Sequence, residues 1–263
     1  MTFKNLAIAA LTATIATSGM TGHAAEPKGS PTVVLVHGAF ADSSSWNGVA
    51  ERLKAHGLQV IAAANPLRGV ADDARYVSSI VDSIPGPVVL VGHSYGGAVI
   101  TNVVTHEPKV KALVYVAAFT PDVGENAGQL AGKFPGSTLG GALAPPVPLP
   151  NGGKDLYIDQ GKFRAQFAAD VKEPEARVMA IGQRPIAEAA LGEATKSTLW
   201  KQLPSYFVYG TADKNIPAAS IEFMAKRAGS RKTVPIEGAS HVVMISHPKE
   251  VAELIERAIS EQK

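Results

Sequence analysis

One serine in this chain stands where a nucleophile would stand. In "VVLVGHSYGGAVI", Val88 to Ile100, a continuous apolar run meets Gly92-His93-Ser94-Tyr95-Gly96 and passes into a helical pattern. The five residues fit G-x-S-x-G, and the chemistry that wants this pattern is acyl transfer. A nucleophilic serine at the end of a parallel strand must project over the sheet's edge, so the chain turns sharply and the serine takes a strained backbone conformation. Gly92 and Gly96, two positions either side, sit where side chains would clash in so tight a turn. Ser94 then lies at a helix N-terminus, where backbone N–H groups and the helix dipole stabilise negative charge. A glycine-rich turn with no chemistry carries the same letters, so the rest of the chain must supply a base, an acid and an oxyanion site. A phosphate-binding reading lacks both G-x-x-x-x-G-K-[ST] and a G-x-G-x-x-G after the first strand.

A serine hydroxyl is a poor nucleophile without a base. Beyond the N-terminal segment the histidines are His37, His56, His93, His106, His241 and His247. His241, in "EGASHVVMISHP", follows the last expected strand in a Gly-containing loop before the closing helix, from where a ring can reach across the sheet edge. His247 precedes Pro248 at a helix start, and His56 and His106 fall near helix ends, so these read as surface or capping residues. His93 adjoins Ser94, but neighbours in a turn point apart. His37 ends the first strand and reads as holding the glycine loop by hydrogen bonding. The base in turn needs an orienting carboxylate. Asp213, in "VYGTADKNIP", lies just past a strand and ahead of Pro217. Asp122, in "FTPD" after the preceding strand, is the rival, and either could instead be a turn-forming aspartate.

The oxyanion site is expected in "HGAFADSSSW" after the first strand. There a backbone N–H at Ala39 or Phe40 can turn inward to meet the N–H of Tyr95. Ser43, Ser44 and Ser45 have nothing nearby to activate them and read as loop and capping residues before a helix at Trp46.

The elements that must position these residues alternate. "TVVLVHG", "LQVIAA", "VVLVG" and "KALVYVAAF" read as strands, with helices over Trp46–His56, Val70–Ile84 and Tyr95–His106 between them. "SYFVY" and "KTVPI" are later strands, separated by a helix over Ile216–Ala228, and Pro248–Ser260 closes the chain. Such alternation predicts an α/β fold: a mostly parallel central sheet with helices on both faces. After Phe119 the pattern breaks. Residues 120–203, rich in Gly and Pro at first and helical in pieces later, read as an inserted cap with no clear strand. Its aromatics Phe134, Tyr157, Phe163, Phe167 and Trp200 read as packing.

With 263 residues, 46% hydrophobic and 18% charged, the chain has the composition of a globular domain, and residues 30–263 are read as one such domain. The formal net charge of +2, without a dense Lys/Arg run, argues against nucleic acid as a partner. No metal-ligand spacing and no cofactor motif is found, and the absence of cysteine removes disulfides and thiolate catalysis. Residues 1–24 have one early cation, Lys4, an apolar run from Leu6 to Ile15 and small residues up to Ala24. This is the pattern of a secretory leader, so export is expected, to the periplasm or outside the cell, with no membrane anchor in the mature chain. The apolar run is too short and too interrupted for a spanning helix, which takes about 20 apolar residues.

Together "LVHGAF", "VGHSYGG", "VYGTADKNIP" and "GASHVVMISHP" resemble the α/β-hydrolase family, and within it the serine-esterase branch related to plant methylesterases and hydroxynitrile lyases. The resemblance spans Pro31 to Glu261. It implies a Ser94–Asp213–His241 triad with oxyanion donors at Ala39 and Tyr95. It also implies hydrolysis of a carboxylic ester, thioester or lactone through an acyl-enzyme. The lyases of that branch carry a threonine after the first-strand histidine and a lysine close behind the triad histidine. Gly38 and Val242-Val243 stand here instead, which argues for ester hydrolysis. An aspartate nucleophile, as in dehalogenases and epoxide hydrolases of this fold, is opposed by Ser94. Two other readings stay open: a cofactor-free perhydrolase or haloperoxidase using the same serine, and a non-catalytic small-molecule-binding member of the fold.

Overall fold

The computed structural model describes residues 29–150 and 152–262. The secretory leader expected over residues 1–24 lies outside the described residues. The first half of the chain runs β1 (Thr32–Val36), α1 (Asn47–Ala55), β2 (Val60–Ala63), α2 (Val70–Ser83), β3 (Val88–His93), α3 (Tyr95–Thr101) and β4 (Val110–Val116). An insert follows, with α4 (Ala127–Ala131), β5 (Val147–Pro148), β6 (Lys154–Leu156), α5 (Gln160–Phe167), α6 (Glu173–Gly182), β7 (Ile186–Ala187) and α7 (Glu188–Gly192). The chain then completes the sheet with β8 (Ser205–Gly210), α8 (Ala218–Arg227), β9 (Lys232–Ile236), α9 (Val243–Ser246) and α10 (Pro248–Ser260).

Six strands form one parallel sheet in the order β2-β1-β3-β4-β8-β9. β1 and β3 are continuous apolar runs because both faces of the sheet are covered: Val33 to Val36 and Val88 to Val91 are fully buried. α1 packs on α10, and α2 packs on α3. From β1 the chain first winds outward to β2 and then returns to build the other side from β3. The reversal between β1 and β3 opens a crevice beyond their C-terminal ends, where ligands of such sheets bind. In register Val36 pairs with Gly92, so the loop starting at His37 lies beside the turn at Ser94. At the other end Gly210 pairs with Ile236, which brings the loops carrying Asp213 and His241 together.

Local chemistry explains where the elements depart from expectation. The helix expected to run from Tyr95 to His106 ends at Thr101. Asn102 turns its amide back onto the Ala98 carbonyl and accepts N–H groups from Lys196 and Ser197, and the β-branched run Val103-Val104-Thr105 is a poor helix former. The helix expected from Trp46 is preceded by a 3₁₀ turn, Ser43–Trp46, capped by Asp42. Within the insert the expectation of no strand is corrected: β5, β6 and β7 form a small antiparallel sheet. Strands of two or three residues are too short to show alternation. The helix α4 did have a signal, a capping box in which Asn126 and Gln129 satisfy each other's backbone N–H groups.

The insert's two legs are fastened to each other and to the sheet domain. Arg227, at the end of α8, holds both oxygens of Glu125 at 2.8 Å and the Thr120 carbonyl at 2.7 Å. Its guanidinium lies 5.6 Å from the Trp200 ring, and Trp200 donates to the Pro121 carbonyl. Lys201 pairs with Asp122. Burial alone would raise the Glu125 carboxyl, but the hydrogen bonds from Arg227 and from the Asp122 N–H hold it below its ordinary value. The Lys201 hydrogen bond likewise holds Asp122 below its own. Carboxylates depressed in the folded state add stability above their unfolded values and lose it as pH falls through the folded ones. Unfolding midpoints should therefore drop as pH falls below about 4.5, the ordinary glutamate value. Glu125→Gln should shrink the difference in thermal midpoint between pH 6 and pH 3.5. These groups are partly solvated, so each contributes less than about 1 kcal/mol.

Candidate active site

Ser94 links β3 directly to α3, and its backbone sits at φ 53° and ψ −123°. That conformation is strained for any residue with a Cβ and persists only where the surroundings enforce it. The enforcement is close backbone packing: a Cβ on Gly92 would lie 2.6 Å from the Gly96 carbonyl oxygen. Gly38 has a similar constraint from another direction, since a Cβ there would lie 2.6 Å from the Ser94 Cβ. The lyase-type threonine at this position has no space in this chain.

His241 and Asp213 meet. His241 Nδ1 lies 2.6 Å from Asp213 Oδ2, with both side chains almost fully buried. The other carboxylate oxygen, Oδ1, accepts the backbone N–H groups of Asn215 at 2.7 Å and Ile216 at 3.0 Å. With Oδ1 engaged by the backbone, Oδ2 is left for the imidazole, and the ring has one orientation. With a proton on Nδ1, Nε2 carries the basic lone pair. Ser94 and His241 line the same cavity without a hydrogen bond between them; catalytic links of this kind commonly tighten only around substrate. Asp122, the rival acid, is engaged by Lys201 on the insert's leg and does not meet His241.

The remaining histidines fall into two groups. His56 and His106 are exposed and paired with Glu256 and Asp82, and His247 stands at the N-cap of α10 beside Ser246. His37 and His93 are fully buried. The His37 ring bonds the Gly38 carbonyl at 2.9 Å, on the glycine loop. His93 Nε2 donates to the backbone carbonyl of His241 at 3.3 Å, and the two rings lie 4.8 Å apart. Burial, with His241 adding repulsion, pushes His93 well below the usual histidine range, so it stays neutral. Sequence spacing gave no sign that the neighbour of Ser94 would brace the loop of His241. Nor did it reveal Phe167, whose ring lies 5.1 Å from His241 and lines the cavity.

Three N–H groups were candidates for an oxyanion site. Phe40 N–H donates to the Arg184 carbonyl at 2.9 Å and is already committed. Ala39 N–H makes no hydrogen bond among the described residues, and Ala39 lines the cavity. Tyr95 is the first residue of α3, so its N–H is one of those a helix leaves without an internal acceptor. Ser43, Ser44 and Ser45 bond the Ala63 carbonyl and Asp42, as capping residues do.

The cavity has a volume of about 400 Å³. Phe119, Leu139, Leu143, Phe167, Leu191 and Ile216 form its apolar walls, and Ala127, Gly128, Ala131 and Gly132 on and just after α4 leave one side uncrowded. No Lys, Arg, Asp or Glu lines it. Among the described residues no cluster of His, Asp and Glu could hold a metal ion, and no helix is long and apolar enough to cross a membrane.

A family model described as "Alpha/beta hydrolase family" matches residues 33–254. Among curated proteins, a pimeloyl-[acyl-carrier protein] methyl ester esterase of Aeromonas hydrophila is 27% identical, covering 87% of this chain and 95% of its own. Salicylic acid-binding protein 2 of Nicotiana tabacum is 26% identical, with 86% and 96% covered. Among solved structures, polyneuridine aldehyde esterase superposes with a TM-score of 0.74 at 20% identity, covering 87% of this chain and 99% of that one.

Proposed function

The chain belongs to the alpha/beta hydrolase family, and from that premise we propose that it is a serine hydrolase cleaving a neutral carboxylic ester through an acyl-enzyme. The observation that carries the reading is the strained Ser94 turn opening onto one cavity with a His241 oriented by Asp213. In this reading Ser94 Oγ attacks the carbonyl carbon while His241 Nε2 takes its proton. The N–H groups of Ala39 and Tyr95 hold the oxyanion, and the tetrahedral intermediate expels the alcohol, which His241 protonates. Water then repeats the sequence on the acyl-serine and releases the acid. Asp213 keeps the imidazole in the required tautomer throughout. The methyl ester esterases among the curated relatives support ester hydrolysis, and the absence of space at Gly38 for a threonine weighs against the hydroxynitrile lyase that also appears among them. Thioesters and lactones meet the same requirements at the carbonyl.

Mixing enzyme with p-nitrophenyl acetate and quenching within the first turnovers tests this reading. Intact-mass analysis should find one acetyl adduct, and peptide mapping should place it on Ser94. An adduct on another residue, or an undiminished rate of hydrolysis after Ser94 is blocked by a fluorophosphonate, would contradict the acyl-enzyme.

The uncharged wall argues for an apolar acyl or alcohol group. Ala131→Phe should fill part of the cavity and lower kcat/KM for long-chain p-nitrophenyl esters by about tenfold or more, while p-nitrophenyl acetate changes less than about threefold. A chain-length series on both proteins checks it, the effect being of the size expected for excluding a few methylenes.

A further inference from the structure

The side chain of Tyr95 has no part in the chemistry above, and neither does the buried carboxyl it touches. α3 begins Tyr95-Gly96-Gly97. A Cβ on Gly96 would lie 2.4 Å from the Val36 carbonyl oxygen, and one on Gly97 2.4 Å from that of Phe119. Two of the three residues in this stretch therefore carry no side chain and have no room for one. Of the three, Tyr95 alone has a side chain that can anchor the turn from outside the backbone. Its ring is fully buried, and its hydroxyl donates to Asp73 Oδ2 at 2.9 Å. Asp73, in the first turn of α2, is fully buried, and its Oδ1 accepts the Arg68 N–H at 3.1 Å. Arg68 in turn reaches the insert, bonding Asp155 at 2.6 Å and the Pro185 carbonyl at 2.9 Å. Burial and the adjacent Asp73 keep the phenol protonated, so it remains a donor.

We propose that the Tyr95–Asp73 hydrogen bond is a positioning device for the oxyanion site: by pinning the ring, it aims the backbone N–H of Tyr95 itself. The inference rests on the reading of that N–H as an oxyanion donor. The Ser94 carbonyl, which shares its peptide with the Tyr95 N–H, accepts the N–H groups of Gly97 at 3.0 Å and Phe119 at 3.1 Å. The pinned ring holds the other end of that peptide, and a donor helps only where it points at the developing charge. Losing one donor outright typically costs about 10²–10³ in turnover, and a donor left in place but misaimed costs part of that. Tyr95 and Asp73 thus act through the peptide and do not touch the reacting atoms.

The test compares the purified protein with Tyr95→Phe, Asp73→Leu, Asp73→Asn and the double variant Tyr95→Phe/Asp73→Leu on p-nitrophenyl acetate, with Ser94→Ala alongside. Tyr95→Phe and Asp73→Leu should each lower kcat by about 10- to 100-fold with KM within about twofold, and slow fluorophosphonate labelling of Ser94 in parallel. The double variant should lose no more than the worse single one. Asp73→Asn, whose amide oxygen can keep the Arg68 N–H while its NH₂ donates to the phenol oxygen, still pins the ring and should recover most of kcat. The Asp73 pair repeats the comparison without altering Tyr95, so the result does not hang on one variant folding. A lowered melting temperature with kcat within twofold of the parent in both Tyr95→Phe and Asp73→Leu would overturn the proposal and leave the bond a structural tie. Retained hydrolysis in Ser94→Ala would overturn the underlying catalytic reading instead, and the two failures are told apart by which variant keeps its activity.

Discussion

Ser94→Ala should lower kcat for p-nitrophenyl acetate by about 10⁶, the scale seen when a triad serine is removed, leaving only the rate that binding and oxyanion donors sustain. The protein should meanwhile fold as before. Alanine keeps the Cβ, so the strain at φ 53° is unchanged. The melting temperature should stay within a few degrees of the parent or rise slightly, as is common when a site gives up a group placed for function. Steady-state assay together with a thermal scan checks both halves. Activity within tenfold of the parent would remove Ser94 from the mechanism.

Asp213→Asn should be nearly as damaging, lowering kcat by about 10⁴, the scale known when a triad aspartate becomes asparagine. The reason lies in how fully the carboxylate is used. Oδ1 accepts two backbone N–H groups and Oδ2 accepts His241 Nδ1–H. An asparagine has only one acceptor oxygen. If that oxygen stays on the backbone pair, the amide NH₂ faces Nδ1, and the ring must take the tautomer that puts its proton on Nε2. The base is then unable to accept from Ser94. If the amide flips, its NH₂ points at the two N–H groups of Asn215 and Ile216, and buried donors are left unpaired at a cost of about 1–3 kcal/mol each. The variant should thus lose activity in either case, and lose stability in the second. Asp122→Asn is the control, since its carboxylate binds Lys201 and not the histidine. A large loss in Asp122→Asn with little loss in Asp213→Asn would reverse the assignment of the acid.

Residue spacing was sufficient to bring Ser94, Asp213 and His241 forward because the fold puts such residues at fixed points: after β3, after β8 and after β9. The strands themselves were legible as apolar runs closed by glycine or proline, since each is buried on both faces. What spacing could not convey was contact across the chain. That Phe40 N–H is taken by the Arg184 carbonyl, which leaves Ala39 as the free donor, joins residues 144 positions apart. The bond from His93 to the His241 carbonyl spans 148. Asp122 and Asp213 are alike as sequence, each an aspartate just past a strand, and only the partners that the fold brings to them tell them apart. The insert was the least readable part. Its helices are short, its strands are two or three residues long, and its order comes from tertiary ties such as Arg227–Glu125, for which no local pattern exists.

Those ties have a bearing on traffic. The segment between β4 and β8 is fastened at well-separated points: Arg184 to Phe40, Ala187 to Leu67, Asp155 to Arg68, Asp170 to Ser240 and Glu125 to Arg227. Lifting it in one piece would break all of them together, at about 0.5–1.5 kcal/mol net for each neutral bond and more for the charged ones. Gly132 and Gly140 are exposed glycines in the cavity wall. A cover held down at so many points stays in place while substrate passes, so the cavity sorts molecules by cross-section before any of them meets the serine.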